Sequence, residues 1–136
     1  MHHEDTKDTK TAKDRANELS HEILGAAVEV HRLLGPGLLE STYENCLSHE
    51  LTLRGLVHAR QVALPVLYKS ARLECGYRMD LIVDGLVVVE LKAVEALLPI
   101  HKAQVLTYLK LSGLWLGLLL NFNARRLKEG IVRLVH

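Results

Sequence analysis

Tyr77-Arg78-Met79-Asp80-Leu81-Ile82-Val83-Asp84-Gly85-Leu86-Val87-Val88-Val89-Glu90-Leu91-Lys92 reads as two strands joined at an Asp-Gly turn. Strand residues two apart share a face, so Glu90 and Lys92 point the same way. The unbroken run Val87-Val88-Val89 predicts a strand buried on both faces. A glutamate and a lysine at the end of such a strand are costly unless something pairs them. Two carboxylates and a lysine converging there can hold a hard divalent cation and activate a water.

Whether Asp80 joins them depends on the turn. A two-residue loop at Asp84-Gly85 sets Asp80 opposite Val89 and puts Asp80 and Glu90 on opposite faces of the sheet. A three-residue loop, Val83-Asp84-Gly85, sets Arg78 opposite Glu90, and Asp80, Glu90 and Lys92 then share one face. Gly85 is placed to supply the left-handed residue that closes such a loop. Assembly of the trio therefore requires the three-residue loop or an equivalent bulge.

Toward the N-terminus, residues 1–13 are polar with no apolar period, and a frayed tail is expected. The remainder, 14–136, reads as a single domain. From Asp14 to Leu34 a helical stripe runs through Leu19, Ile23, Ala26, Ala27, Val30, Leu33 and Leu34, until Gly35-Pro36-Gly37 stops it. A second helix is expected from Leu38 to Arg54, with Leu39, Tyr43, Cys46, Leu47 and Leu51 inward and Gly55 ending it. On this helix Glu40 and Glu44 are one turn apart and can reach a metal, although such a pair is more often a solvated face. Ala59–Tyr68 alternates as a strand in which Pro65 favours an edge or a bulge. Another strand follows over Arg72–Val83, and the strand ending at Lys92 begins at Leu86.

Beyond Lys92 a third helix is predicted to start near Pro99 and run to about Leu111, with Ile100, Ala103, Leu106 and Leu111 in apolar contact. His101, Gln104 and Tyr108 share one of its faces. Gln104 there can hold a metal-bound water or the substrate backbone, and Tyr108 can touch a phosphate or stack on a base. The ordinary alternatives are a surface amide and a core tyrosine. His101 reads more readily as a solvated or capping histidine than as a ligand, though it is within reach of the same substrate face, as is Arg78. Leu114–Phe122 reads as a buried strand, and Gly130–Val135 as a last short one.

The chain is near neutral, with 17 Lys+Arg against 16 Asp+Glu, but unevenly so. Residues 1–53 hold 5 basic and 10 acidic side chains, and residues 54–136 hold 12 and 6. The basic part can meet phosphate backbones, or the two parts can simply attract each other. No apolar run is long enough to span a membrane, and Cys46 and Cys75 form no disulfide framework or zinc pattern, so a cytoplasmic protein is expected. No Gly-rich phosphate loop is present, and no nucleophilic Ser or Cys has an evident His partner. The trio Asp80, Glu90, Lys92 taken alone also fits an ordinary buried salt bridge.

Several blocks together resemble one family. Gly37-Leu38-Leu39-Glu40-Ser41-Thr42-Tyr43 looks like the signature of the GxxExxY proteins. Tyr77–Leu81, Glu90-Leu91-Lys92, His101–Gln104 with Tyr108-Leu109-Lys110, and Leu119–Phe122 resemble its later blocks in order and spacing. The likeness covers roughly residues 15–135. That family is grouped with the PD-(D/E)XK nuclease-like superfamily, which implies a restriction-endonuclease-like α/β (α+β) core. Such a core is a mixed four-stranded sheet flanked by helices in α-β-β-β-α-β order. The resemblance implies Asp80 and Glu90 as metal ligands, with Glu40 assisting from its helix, and Lys92 as the catalytic lysine. Gln104 and Tyr108 look like the QxxxY element of RecB-type nucleases. Met79 stands where the motif has proline. The implied activity is Mg²⁺- or Mn²⁺-dependent hydrolysis of DNA or RNA phosphodiesters. The alternative is an inactive module of the same fold that binds nucleic acid or a protein partner, and a homodimer is compatible with either.

Overall fold

The computed structural model describes residues 11–136. Helix α1 (Ala12–Leu34) starts two residues earlier than its apolar stripe, because the Thr11 hydroxyl accepts the Asp14 N–H at 3.1 Å and caps it. The tail expected over 1–13 otherwise lies outside the described residues. The chain continues through α2 (Glu40–Leu53), β1 (His58–Ala63), β2 (Val66–Tyr68), β3 (Ala71–Leu73), β4 (Arg78–Val83) and β5 (Val87–Lys92). Then come α3 (Pro99–Ser112), β6 (Leu116–Asn121), a 3₁₀ turn (Leu127–Gly130) and β7 (Ile131–Val135).

Two expected strands are each broken in two. Pro65, which has no N–H to give a ladder, separates β1 from β2. Residues 74–77, with Gly76 in the left-handed region at φ 81°, separate β3 from β4. The freed pieces β2 and β3 pair with each other as a small hairpin standing off the main sheet.

The main sheet has five strands in the order β1-β4-β5-β6-β7: the four of the core that the resemblance implies, with the expected last strand, β7, paired to β6. Only β5 and β6 are parallel, and α3 is the crossover between them. The first face of the sheet buries Leu81, Val83, Val87, Val89 and Leu91 under α1 and α2, with Ile23, Leu47 and Leu51 opposite. The second face carries Met79 and Val88 against Tyr108 and Leu109 of α3. Leu33, Leu34 and Leu39, expected inward, are exposed. They flank the Gly35-Pro36-Gly37 turn, where the chain leaves the core. No helix among the described residues is long and apolar enough to cross a membrane.

Helix α3 is rotated from its expected setting. Ile100, Ala103 and Leu106 face out, while Val105, Tyr108 and Leu109 are buried. Apolar side chains occur on nearly every side of this helix, so periodicity alone does not choose the buried one. Gly117 on β6 helps to choose it. A Cβ there would lie 2.8 Å from Val105 Cγ1, so the bare backbone is what lets α3 settle on the sheet. Gly117→Ala is expected to lower stability by about 1–3 kcal/mol through overpacking, read from urea denaturation.

Candidate active site

The hairpin turn assembles the site, by a route adjacent to the one expected. Val83 O accepts the Leu86 N–H at 2.9 Å across Asp84 and Gly85, whose φ angles are 52° and 65°. This is the positive-φ pair that two-residue hairpins favour. Leu86 is then an extra residue, and the ladder pairs Val83 with Val87, Ile82 with Val88 and Leu81 with Val89. Continued by one step, that register sets Asp80, not Arg78, opposite Glu90. Asp80 and Glu90 therefore share a face, together with Lys92 two residues on.

At that step the two strands stop pairing through their backbones. The Asp80 N–H instead donates to Glu90 Oε1 at 2.7 Å, and the Leu91 N–H donates to Asp80 Oδ2 at 2.9 Å. Each carboxylate satisfies a backbone group of the opposite strand, so both are fixed in place while their charges are brought together. Glu90 is 3% exposed. Burial pushes its carboxyl up from 4.5 to about 8, and the Asp80 charge adds to the shift. The Asp80 N–H and the Lys92 ammonium only partly offset this.

Glu40 reaches the same place from the first turn of α2. Its carboxyl is raised by burial, drawn down by Lys92 and raised by Asp80 and Glu44, and it accepts the Ala93 N–H. The position is set by Tyr43. Its hydroxyl donates to Gly35 O at 2.6 Å and accepts the Leu38 N–H at 3.1 Å, while its ring stacks on Phe122 at 4.8 Å. The tyrosine thus ties down the turn from which Glu40 emerges. The loop after Lys92 is tied down as well. Buried Asn121 accepts the Val94 N–H at 3.1 Å and donates to Val94 O at 2.9 Å. From α3, Tyr108 comes within electrostatic reach of the acidic pair. Burial first, then Glu90 and Asp80, push its hydroxyl up to about 12, and a hydrogen bond with Gln104 opposes them.

A family model described as the PD-(D/E)XK nuclease superfamily matches residues 17–134. The chain belongs to the PD-(D/E)XK nuclease superfamily. No curated protein and no solved structure gave a match. The five-stranded mixed sheet with helices on both faces is consistent with the restriction-endonuclease-like fold of that superfamily.

Nucleases of this superfamily typically use divalent metals. The donors here suit a small hard cation. Among the described residues no three acidic, His or Cys side chains converge as a ready-made cage. The close pair is Asp80 with Glu90, and Glu40 acts on Asp80 through its charge. Mg²⁺ is commonly held by one or two carboxylates and keeps several waters, so a two-carboxylate donor set fits it, and Mn²⁺ likewise.

One residue beside the acidic pair escaped the sequence reading. Gln61 lies within β1 between the pairs Arg60–Leu81 and Val62–Met79, hence opposite Asp80. Its φ is 51°, rare for a side-chain-bearing residue and rarer inside a strand. Its Nε2 donates to Glu44 Oε1 at 2.8 Å and to Asp80 Oδ1 at 3.4 Å. Glu44, expected on a solvated face, is buried, and also accepts two hydrogen bonds from Arg60 at 3.1–3.2 Å. A strained glutamine thus leans on Asp80 from the buried Glu44, whose partner Arg60 remains exposed. No pattern in the sequence marks it, since a lone Gln in an alternating strand reads as a surface residue. Gln61→Gly is expected to be about 1 kcal/mol more stable than Gln61→Ala, because both lose the amide but only glycine relieves the left-handed backbone. Paired thermal melts measure the difference.

The remaining candidates are placed as follows. His101 Nδ1 accepts the Leu98 N–H at 2.9 Å, so that nitrogen caps α3. Arg78 is exposed at the start of β4, two residues from Asp80.

Proposed function

We propose that this protein is a metal-dependent nuclease that hydrolyses phosphodiester bonds in nucleic acid, a cytoplasmic member of the GxxExxY group built as one domain over 14–136. The observation that carries this reading is the crossed pair of hydrogen bonds through which Asp80 and Glu90 replace the ladder at the end of β4 and β5. A fold gains nothing by pressing two carboxylates together under burial, and a bound cation reverses that cost.

In this reading Asp80 and Glu90 hold Mg²⁺ or Mn²⁺, with Glu40 assisting. When bound, the ion supplies Lewis-acid polarisation of the phosphate and lowers the pKa of a water. Lys92 directs hydrogen bonds at the attacking water and at the negative charge growing on the phosphate. Among the described residues its ammonium is locked in no ion pair, although it acts on both Glu40 and Glu90. Gln104 and Tyr108 line the substrate side, with Arg78 and His101 at its margin.

The test is a calorimetric Mn²⁺ titration of the wild type beside Asp80→Ala and Glu90→Ala. Saturable binding that both variants lose is the expected result. Binding that persists unchanged in both, with or without a short oligonucleotide, would overturn the assignment.

A further inference from the structure

A groove of about 670 Å³ runs between α3 and the start of the β2–β3 hairpin. Gln104 and Tyr108 line it, and Tyr108 also feels the charges of Glu90 and Asp80, which links the groove to the proposed metal site. Most of the remaining lining is apolar and uncovered: Leu67 is 62% exposed, Ile100 67% and Tyr77 46%. Tyr77 meets Tyr108 edge-on, with ring centroids 6.4 Å apart, and half of its surface is left to the groove and solvent. This is the outer face of α3, which the rotation of the helix leaves unburied.

The elements that wall the groove carry basic side chains. Lys110 lines it, Lys102 stands on the same helix, and Lys69 and Arg72 belong to the hairpin segment 66–73. Neither segment contains an Asp or a Glu, in a chain whose overall charge is only +1. An apolar, tyrosine-bearing floor between two basic elements matches one ligand chemistry. Flat apolar faces must lie down while a string of negative charges runs along the edge. Unpaired nucleobases on a phosphate backbone have both features. A duplex keeps its base faces stacked inside and offers only phosphates, for which the apolar floor has no use.

We propose that this groove is a binding platform for single-stranded nucleic acid, in which an unpaired base lies on Tyr77 and the adjoining phosphate is delivered toward Asp80 and Glu90. The proposal rests on the nuclease reading for the direction of the strand, but not for its binding.

The experiment is fluorescence anisotropy with a labelled single-stranded oligonucleotide, as DNA and as RNA, and with the matching duplexes. Ca²⁺ replaces Mg²⁺ so that the probe is not cut. Wild type, Tyr77→Ala and Lys110→Glu are compared, each also titrated with Mn²⁺ alone. The expected result is single-strand binding at least about tenfold tighter than duplex binding. Tyr77→Ala weakens it roughly tenfold and Lys110→Glu lowers both affinity and salt dependence, with Mn²⁺ affinity unchanged. The DNA and RNA arms identify the sugar. Duplex bound as tightly as single strand, or single-strand affinity untouched in both variants, overturns the proposal. So does a dimer in sedimentation equilibrium that Ile100→Lys dissociates without changing single-strand binding, since a second copy would then occupy the groove. Loss of the Mn²⁺ site with Tyr77-dependent binding intact would sink the nuclease reading and leave the platform. Mn²⁺ binding with no Tyr77 dependence would do the reverse.

Discussion

Lys92→Ala is expected to leave Mn²⁺ binding within a few-fold of wild type and to lower phosphodiester cleavage by about a thousandfold, some 4 kcal/mol of transition-state stabilisation. The division follows from geometry. Lys92 is the second residue after Glu90 on β5, so it shares the face of the acidic pair without contributing an oxygen to it. Removing a cation from beside two carboxylates takes nothing away from the donor set. It makes the local charge more negative, which by itself favours a bound divalent ion. What is lost is the donor aimed at charge that develops only during the reaction, and such losses appear in kcat more than in binding. Lys92→Arg should recover little, because the planar guanidinium does not reproduce a compact ammonium. Single-turnover cleavage of a labelled oligonucleotide, beside calorimetry on the same preparations, reads both quantities. Equal loss of metal binding and cleavage would make Lys92 a structural partner of the carboxylates instead.

Much of this arrangement was legible in the chain itself. The Asp-Gly turn and the valine run announce a hairpin, and the faces of Glu90 and Lys92 follow from a period of two. The register was harder. The turn residues allow a two-residue loop, a three-residue loop or a bulge, and only the packing of Leu86 beside the core selects the bulge that brings Asp80 opposite Glu90. The buried face of α3 was not legible, because Ile100, Val105, Leu106 and Leu109 supply apolar side chains on several sides. The decision lies with Gly117 on β6, outside the helix whose pattern is being read. Glu44 and Gln61 were hidden for a related reason. Their roles depend on a contact between α2 and β1, and on a backbone angle that sequence propensity does not encode.

Glu90→Gln is expected to stabilise the metal-free protein at pH 8 by on the order of 3 kcal/mol while removing most of its Mn²⁺ affinity. In the unfolded chain this carboxyl titrates near its ordinary value of 4.5, and in the fold at about 8. Between those values the native state holds a proton that the unfolded state has released. Stability therefore falls as pH rises from about 4.5 to 8 and is flat above, the opposite of the usual salt-bridged carboxylate. Glutamine keeps an oxygen to accept the Asp80 N–H, now made at 2.7 Å, but it never ionises, so its stability curve loses that slope. Wild type and variant should converge below about pH 4, where the glutamate is neutral in both the folded and the unfolded chain, and separate steadily to pH 8. Urea melts across that range, in chelator, measure the divergence. A wild-type curve parallel to that of the variant would mean that Glu90 is ionised in the fold without cost. The strand-end pair would then be a satisfied structural contact and no longer a vacancy of charge that a cation completes.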